Sequence, residues 1–158
     1  MSGAANGTPM TPEKRQEIAQ GARAWLGTPY HHHGRIKGAG VDCAMLLAQV
    51  YEEAGVTEPV TVGYYAIDWH LHRGVELYLS HVVRHARQIE QAQAAAGDLV
   101  VVKFARTFSH GGIITGGAPG RFSVVHAYYN RGVIESRMDE EPLAGRPALY
   151  YTVGEVQP

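Results

Sequence analysis

The sequence contains a single cysteine, Cys43, in the stretch GVDCAMLLAQVYEEAGV. The residues after Asp42 are apolar and helix-forming, so Cys43 is predicted to lie in the first turn of a helix capped by Asp42. Unpaired backbone N–H groups and the helix dipole at that position favour a thiolate, with a thiol pKa lowered from roughly 8.5 toward about 4 to 7. A lone cysteine on a buried helix is more often a small packing residue. Position alone therefore leaves a nucleophile and a packing residue both open.

Two histidines in the C-terminal half are candidates for the base that a nucleophilic cysteine needs. His110 precedes Gly111 and Gly112, which let another element approach its backbone closely, and His126 lies in the next β-rich run. Neighbouring antiparallel strands can place the two imidazoles on one face, one as the base and the other orienting it. The alternative is that His110 caps a turn and His126 is a half-buried structural residue.

The N-terminal half carries the helix signals. A first helix is predicted with Thr11 as N-cap, Pro12 at its first position and Gly27 as its stop, and its apolar stripe comprises Ile18, Ala22, Trp25 and Leu26. The helix that begins after Asp42 is apolar nearly all round, which predicts a central helix covered on several sides. A third helix is predicted at about Val75 to Ile89, after a loop and turn segment.

From Asp98 the pattern changes to short β-rich runs separated by turn residues. The predicted strands lie in DLVVVKF, GGIITGG, RFSVVHAYY, GVIESRM and ALYYTV. A hairpin turn is expected at YYNRG, where Asn130 and Gly132 supply positive φ angles. Helices followed by strands predict an α+β fold with an antiparallel sheet of about five strands packed on helices. We expect one domain over residues 11–158, after a flexible or partner-bound tail over residues 1–10.

Composition excludes several classes of protein. The 158 residues are 45% hydrophobic and 18% charged, as in an ordinary soluble domain. A net charge of -1 gives no electrostatic basis for binding nucleic acid, and no apolar run approaches the roughly 20 residues of a membrane span. The N-terminus does not resemble a signal peptide, and one cysteine fits synthesis in a reducing cytoplasm.

Five blocks of sequence resemble the NlpC family of papain-like cysteine peptidases. They occur in the family's order over roughly residues 15 to 153: WLGTPY, GAGVDC, GDLVVVK, SHGGIITGG and VVHAYY. The resemblance implies a papain-like NlpC-type fold. It is closest to the phage and prophage tail-associated branch, because GTPY runs into KGAGVDC and the segment GYYAIDWH follows the cysteine helix.

The resemblance also implies roles for individual residues. It makes Cys43 the nucleophile, His110 the base and His126 the polar third member of a catalytic set. On the substrate side, Tyr30 aligns with a tyrosine lining the site and Asp42 with an aspartate associated with the substrate's free amine. Relatives usually have Ser-Gly after the cysteine, so a change in substrate preference is expected from the residues that replace them here, Ala44 and Met45.

Two groups of histidines invite a metal interpretation. His31, His32 and His33 are consecutive, so they cannot easily all face one ion, and we interpret them as a loop at the rim of the cleft. His31, beside Tyr30, is the one expected to touch substrate. An H-x-H pair at residues 70 and 72 has no identifiable third ligand. We therefore expect no metal and no other cofactor.

The expected function is hydrolysis of peptide stems of bacterial peptidoglycan, at bonds of γ-D-glutamyl or diamino-acid type. The phage-branch resemblance adds tail-tip proteins as possible partners and incorporation into a phage-type tail after synthesis in the bacterial cytoplasm. Two alternatives remain open: a structural tail-tip component that retains the peptidase fold, and a related cysteine amidase or acyltransferase.

Overall fold

The structure is a computed structural model that describes residues 9–57 and 86–154. Two α-helices, α1 (Pro12–Arg23) and α2 (Cys43–Glu53), pack against one face of an antiparallel sheet. The strands are β1 (Arg35–Ile36), β2 (Gly40–Val41), β3 (Arg87–Ile89), β4 (Leu99–Phe104), β5 (Thr107–Gly116), β6 (Ser123–Tyr128), β7 (Gly132–Arg137) and β8 (Ala148–Thr152). The predicted α+β, NlpC-type architecture is confirmed.

Helix α1 begins as the sequence predicts and ends earlier. The Thr11 hydroxyl accepts a hydrogen bond from the Lys14 backbone N–H at 3.1 Å, and Pro12 occupies the first turn. The helix stops at Arg23 instead of continuing toward Gly27. Because the chain leaves the helical period there, Leu26 is 42% exposed and does not join the predicted stripe. The other three stripe residues are buried.

Helix α2 lies at the centre of the fold. The Asp42 carboxylate caps it by accepting the Met45 N–H at 2.9 Å. Side chains on several of its faces are buried, including Leu46 and Val50, and they pack between α1 and the sheet. The predicted cap and the predicted central position are both confirmed. A cysteine at the first helical position is thereby held against the interior of the protein.

The large sheet has the strand order β3-β8-β4-β5-β6-β7. Its strands β4 to β8 correspond to the five runs predicted from the sequence. Strand β3 is not predicted by the sequence, which places residues 87–89 at the end of a third helix. The predicted C-terminal end of this helix is wrong. Residues 87–89 pair with β8, with Gln88 opposite Tyr151, because pairing with a neighbouring strand overrides the local helix propensity. The rest of the predicted helix lies outside the described residues.

Strand β4 is buried on both faces, which explains its unbroken apolar run. Leu99 and Val101 face the helices, whereas Val100 and Val102 face a second cluster on the opposite side of the sheet. The second cluster includes Phe122. The sheet therefore forms a fixed layer between two apolar cores, on which β5 and β6 carry the histidines.

The β6–β7 turn ties the sheet to the loop that follows α1. Asn130 and Gly132 have φ angles of 70° and 78°, as expected for the predicted hairpin turn. Thr28 accepts a hydrogen bond from the Val133 N–H at 2.9 Å, and the Gly27 N–H donates to Val133 at 3.0 Å. These bonds anchor the GTPY segment on β7. Among residues 9–57 and 86–154 no helix has the length and apolar character needed to cross a membrane.

Candidate active site

A cavity of about 760 Å³ opens where the start of α2 meets the sheet. Its walls come from the GTPY loop, the β4–β5 turn and the β6–β7 turn. Tyr30, Cys43 and His110 all line it. The structure thus brings together the predicted nucleophile, the predicted base and the tyrosine from three separate parts of the chain.

Cys43 is held by the groups that cap α2. Besides capping the helix, Asp42 accepts a hydrogen bond from the His33 N–H at 2.8 Å, so its carboxylate also fixes the loop before β1. Cys43 is partly exposed on the cavity side and packs against the helical core on the other. Cys43 thus lines the cavity on one side and is bordered by apolar groups on the other.

The pKa of the Cys43 thiol is raised, to about 12. Burial is the main cause, and the negative charge of Asp42 adds to it. Backbone N–H groups of Ala44, Cys43 and Gly111 act in the opposite direction by hydrogen bonding to the sulfur. The sequence-based expectation of a lowered pKa is therefore wrong for the resting protein, because desolvation outweighs the helix N-terminus.

His110 and His126 meet on neighbouring strands, as the sequence predicts. His110 Nε2 lies 2.7 Å from His126 Nδ1, and the two rings are nearly perpendicular. The register places Gly112 opposite His126. A Cβ atom at position 112 would come within 2.9 Å of the Val125 carbonyl oxygen and 3.1 Å of the His126 Cβ. The absence of a side chain at Gly112 therefore lets β5 and β6 approach closely enough to bring the two imidazole rings together.

His126 is completely buried, and its pKa is lowered to about 4. Burial is the larger cause, and the positive charge of Arg131 adds to it. Its Nε2 lies 2.9 Å from the hydroxyl of Ser136 on β7, which is also buried. Sequence reasoning missed Ser136. The sequence shows only that Ser136 is a polar residue at an inward position of a predicted strand. It does not show that His126 is its partner, because that contact depends on the register between β6 and β7.

One arrangement of protons that satisfies these contacts leaves His110 with a basic nitrogen. A neutral His126 that donates its Nε2–H to Ser136 has a free lone pair on Nδ1, which accepts the Nε2–H of His110. This leaves Nδ1 of His110 as the basic nitrogen. His110 lines the same cavity as Cys43, and the backbone N–H of the next residue, Gly111, hydrogen bonds to the Cys43 sulfur. The arrangement suits proton transfer from sulfur to imidazole.

Aromatic rings hold the His110 imidazole from two sides. Phe104 and Tyr128 contact it edge-on, with ring centroids 5.0 and 5.8 Å away. Both residues line the cavity. Neither was singled out from the sequence, because only the pairing of β4 with β5 and of β5 with β6 brings them to His110. Their rings restrict the imidazole to the orientation that keeps its bond to His126.

Tyr30 lines the cavity beside the β6–β7 turn. Its ring packs edge-to-face against Tyr129, with centroids 5.5 Å apart. Burial raises the pKa of the Tyr30 hydroxyl, and the charges of Cys43 and Asp42 add to that shift. The phenol is therefore neutral and able to donate a hydrogen bond into the cavity. This placement agrees with the predicted position of Tyr30 beside the nucleophile.

The other predicted substrate contacts do not line the cavity. His31 is exposed, Asp42 is buried beneath the loop, and Ala44 is half-buried against the core. Met45, which together with Ala44 replaces the usual Ser-Gly of the family, is buried in the core. Direct contact of His31, Asp42 or Ala44 with substrate stays a prediction. Within the described residues no group of three or more metal-ligating side chains is assembled, and the pair at 70 and 72 lies outside them.

A cysteine at the start of a helix, packed on an antiparallel sheet that carries a histidine pair, defines a papain-like cysteine hydrolase. The sequence model of the NlpC/P60 family matches residues 27–146. The chain therefore belongs to the NlpC/P60 family, which confirms the resemblance at the level of the family. A search of curated proteins gave no match.

Solved structures share this fold. An NLP/P60 family protein from Staphylococcus aureus, described as similar to a lipoprotein, is 22% identical with a TM-score of 0.63, over 95% of this chain and 44% of its own. The NlpC/p60 domain of the peptidoglycan hydrolase SagA is 20% identical with a TM-score of 0.55, over 85% and 96%. NlpC2 from Trichomonas vaginalis is 17% identical with a TM-score of 0.61, over 88% and 46%. The chain thus spans less than half of the first and third of these proteins.

Proposed function

We propose that this protein is a cysteine endopeptidase that hydrolyses stem peptides of bacterial peptidoglycan, at bonds of γ-D-glutamyl or diamino-acid type. The observation that carries the proposal is a single cavity lined by Cys43 and His110, with His110 backed at 2.7 Å by His126. Membership in the NlpC/P60 family supports it. So does the likeness in fold to the NlpC/p60 domain of a peptidoglycan hydrolase.

The first chemical step joins proton transfer to nucleophilic attack. His110 Nδ1 takes the thiol proton as the Cys43 sulfur bonds to the scissile carbonyl carbon. Since burial raises the pKa of the Cys43 thiol, coupling the proton transfer to the attack avoids a separate step that forms a free thiolate. Backbone N–H groups at the start of α2 then stabilise the oxyanion. His126 stabilises the imidazolium by accepting its Nε2–H.

The remaining steps release the two products. The C–N bond breaks as His110 returns its proton to the leaving amine, which leaves a thioester on Cys43. Water then attacks the thioester carbonyl, gives a proton to His110, and forms the acid product. The thiol regains that proton as the sulfur leaves. These reaction steps use only groups of the protein itself and one water molecule.

Digestion of purified muropeptides tests the proposal, with products identified by mass spectrometry. We expect the wild-type protein to yield hydrolysed stems and Cys43→Ala to yield none, with the same thermal unfolding midpoint. Absence of cleavage by the wild type, or undiminished cleavage by Cys43→Ala, would overturn it. Digestion in H₂¹⁸O distinguishes the reaction type, because hydrolysis places one labelled oxygen in the new carboxyl group and acyl transfer does not.

We also propose that the protein acts within a phage-type tail. The sequence segments KGAGVDC and GYYAIDWH support this, since both resemble the tail-associated branch of the family. Co-purification of the tagged protein with tail proteins of its host's phage or prophage is the expected result. A stable monomer that binds no tail protein contradicts it. Tail binding combined with an inactive wild type would favour the structural tail-tip role.

A further inference from the structure

Three arginines line the cavity around the candidate nucleophile. Arg106 comes from the β4–β5 turn, Arg131 from the β6–β7 turn and Arg146 from the segment before β8. No aspartate or glutamate is among the residues that line this cavity. The cleft therefore concentrates positive charge in a protein whose net charge is -1.

The cleft arginines differ from most other cations in the described residues by lacking carboxylate partners. Several cations elsewhere form ion pairs with aspartate or glutamate: Lys14, Arg15, Arg23, Lys37 and Arg137. Within residues 9–57 and 86–154 no ion pair involves Arg106, Arg131 or Arg146. Their charge is thus available to a ligand that enters the cavity.

Arg146 is held in place before any ligand binds. Its guanidinium stacks on the Phe104 ring, with Cζ 3.8 Å from the ring centroid. Its Nε donates to the Pro142 carbonyl at 2.8 Å and its Nη1 lies 3.5 Å from the Lys103 carbonyl. These contacts use the Nε–H and one N–H of Nη1, and they leave both N–H groups of Nη2 for a ligand. A fixed guanidinium loses little entropy when it binds a carboxylate in a bidentate manner.

Arg146 and Arg131 are both close to the reacting groups. The Phe104 ring that carries Arg146 is 5.0 Å from the His110 ring. The charge of Arg131 reaches His126, where it contributes to the lowered pKa. A substrate bound next to Cys43 therefore lies in the field of both guanidinium groups.

We propose that Arg106, Arg131 and Arg146 form a carboxylate subsite, and that the preferred stem peptide carries a free α-carboxylate beside the scissile bond. This inference rests on the proposed function and names its substrate class. A γ-linked glutamyl residue leaves its α-carboxylate free, whereas an amidated stem presents a neutral carboxamide at the same place. The three arginines distinguish these two stems by charge.

The test uses two synthetic stem peptides that differ only in whether this α-carboxyl group is free or amidated. We expect the wild-type kcat/KM to be about 10- to 100-fold higher for the acid, as for a lost charge-assisted hydrogen bond. Arg146→Gln and the double variant R106Q/R131Q should bring the ratio of kcat/KM for the acid to kcat/KM for the amide down toward 1. Arg121→Gln is the matched control, since Arg121 is exposed outside the cavity. Equal rates for the two peptides, or faster cleavage of the amide, overturn the proposal.

A binding measurement separates the subsite from the reaction. Calorimetric titration of the Cys43→Ala protein with both peptides is expected to show tighter binding of the acid, with the difference reduced by high salt. The R106Q/R131Q changes in the same background should remove most of that difference. If the wild type cleaves neither peptide, the proposed function fails while this titration still decides the subsite. Equal affinities in it overturn the subsite even if cleavage is observed.

Discussion

At the scale of single residues, the Cys43 sulfur is subject to opposing effects. Backbone N–H groups at the start of α2 favour the thiolate, whereas burial and the Asp42 charge favour the thiol and raise its pKa. The outcome favours the thiol. A raised pKa favours the protonated thiol in the protein without substrate.

Alkylation of the free protein measures this balance. Since the thiol pKa is raised, we expect the rate of reaction with iodoacetamide to keep rising from pH 7 to beyond pH 9. The same cysteine in urea-denatured protein should show a midpoint near roughly 8.5. A native midpoint below that of the denatured protein would contradict the expectation, because it would indicate a thiolate–imidazolium pair formed before substrate binds.

Ser136 positions His126 through the bond at 2.9 Å. Ser136→Ala removes the partner of a buried imidazole N–H, so we expect kcat to fall about tenfold with KM within about twofold. The acidic limb of the kcat profile should also move, because the proton distribution of the histidine pair changes. Ser136→Thr keeps the hydroxyl and should retain most of the activity. An unchanged kcat and pH profile for Ser136→Ala would exclude the positioning role.

At the scale of elements, the catalytic geometry depends on how closely β5 and β6 approach. Gly112→Ala would place a methyl group against the Val125 carbonyl oxygen and the Val124 side chain. We expect a loss of about 1–3 kcal/mol in the free energy of unfolding and a lower kcat, as the His110–His126 distance grows. Gly116→Ala on the same strand is the control, since a Cβ there meets nothing within 4 Å. Equal behaviour of both variants in urea unfolding and peptide hydrolysis would contradict this explanation.

The sequence predicted those elements whose signals are local. The Asp42 cap is encoded in a few adjacent residues. The His110–His126 pair is predictable because side chains alternate between the two faces of a strand, so two neighbouring strands can place both histidines on one face. It did not predict β3, whose three residues form a strand only because β8 lies beside them. It also missed Ser136 and the arginine-lined cleft. Those groups meet through the register of β6 with β7 and the arrangement of three turns, neither of which has a local signal.

At the scale of the whole molecule, His126 couples folding to pH. Its pKa is about 4 in the folded state and about 6.5 in an unfolded chain. The unfolded chain therefore binds more protons between these values, and the free energy of unfolding should fall as pH drops through that window. The contribution is about 3 kcal/mol at most. Urea unfolding of wild type and His126→Gln at pH 7, 6, 5 and 4.5 measures it, and parallel pH dependences for the two proteins would contradict it.

The anchoring of the GTPY segment on β7 has a consequence for how the substrate preference of this protein could be changed. Two backbone hydrogen bonds, from Gly27 to Val133 and from Val133 to Thr28, join the loop carrying Tyr30 to the turn carrying Tyr129 and Arg131. The spacing of this side of the cleft is therefore set by main-chain atoms that side-chain substitutions leave in place. Substitutions of the side chains on that wall are therefore expected to change which substrates fit while the distance between the loop and the turn stays the same.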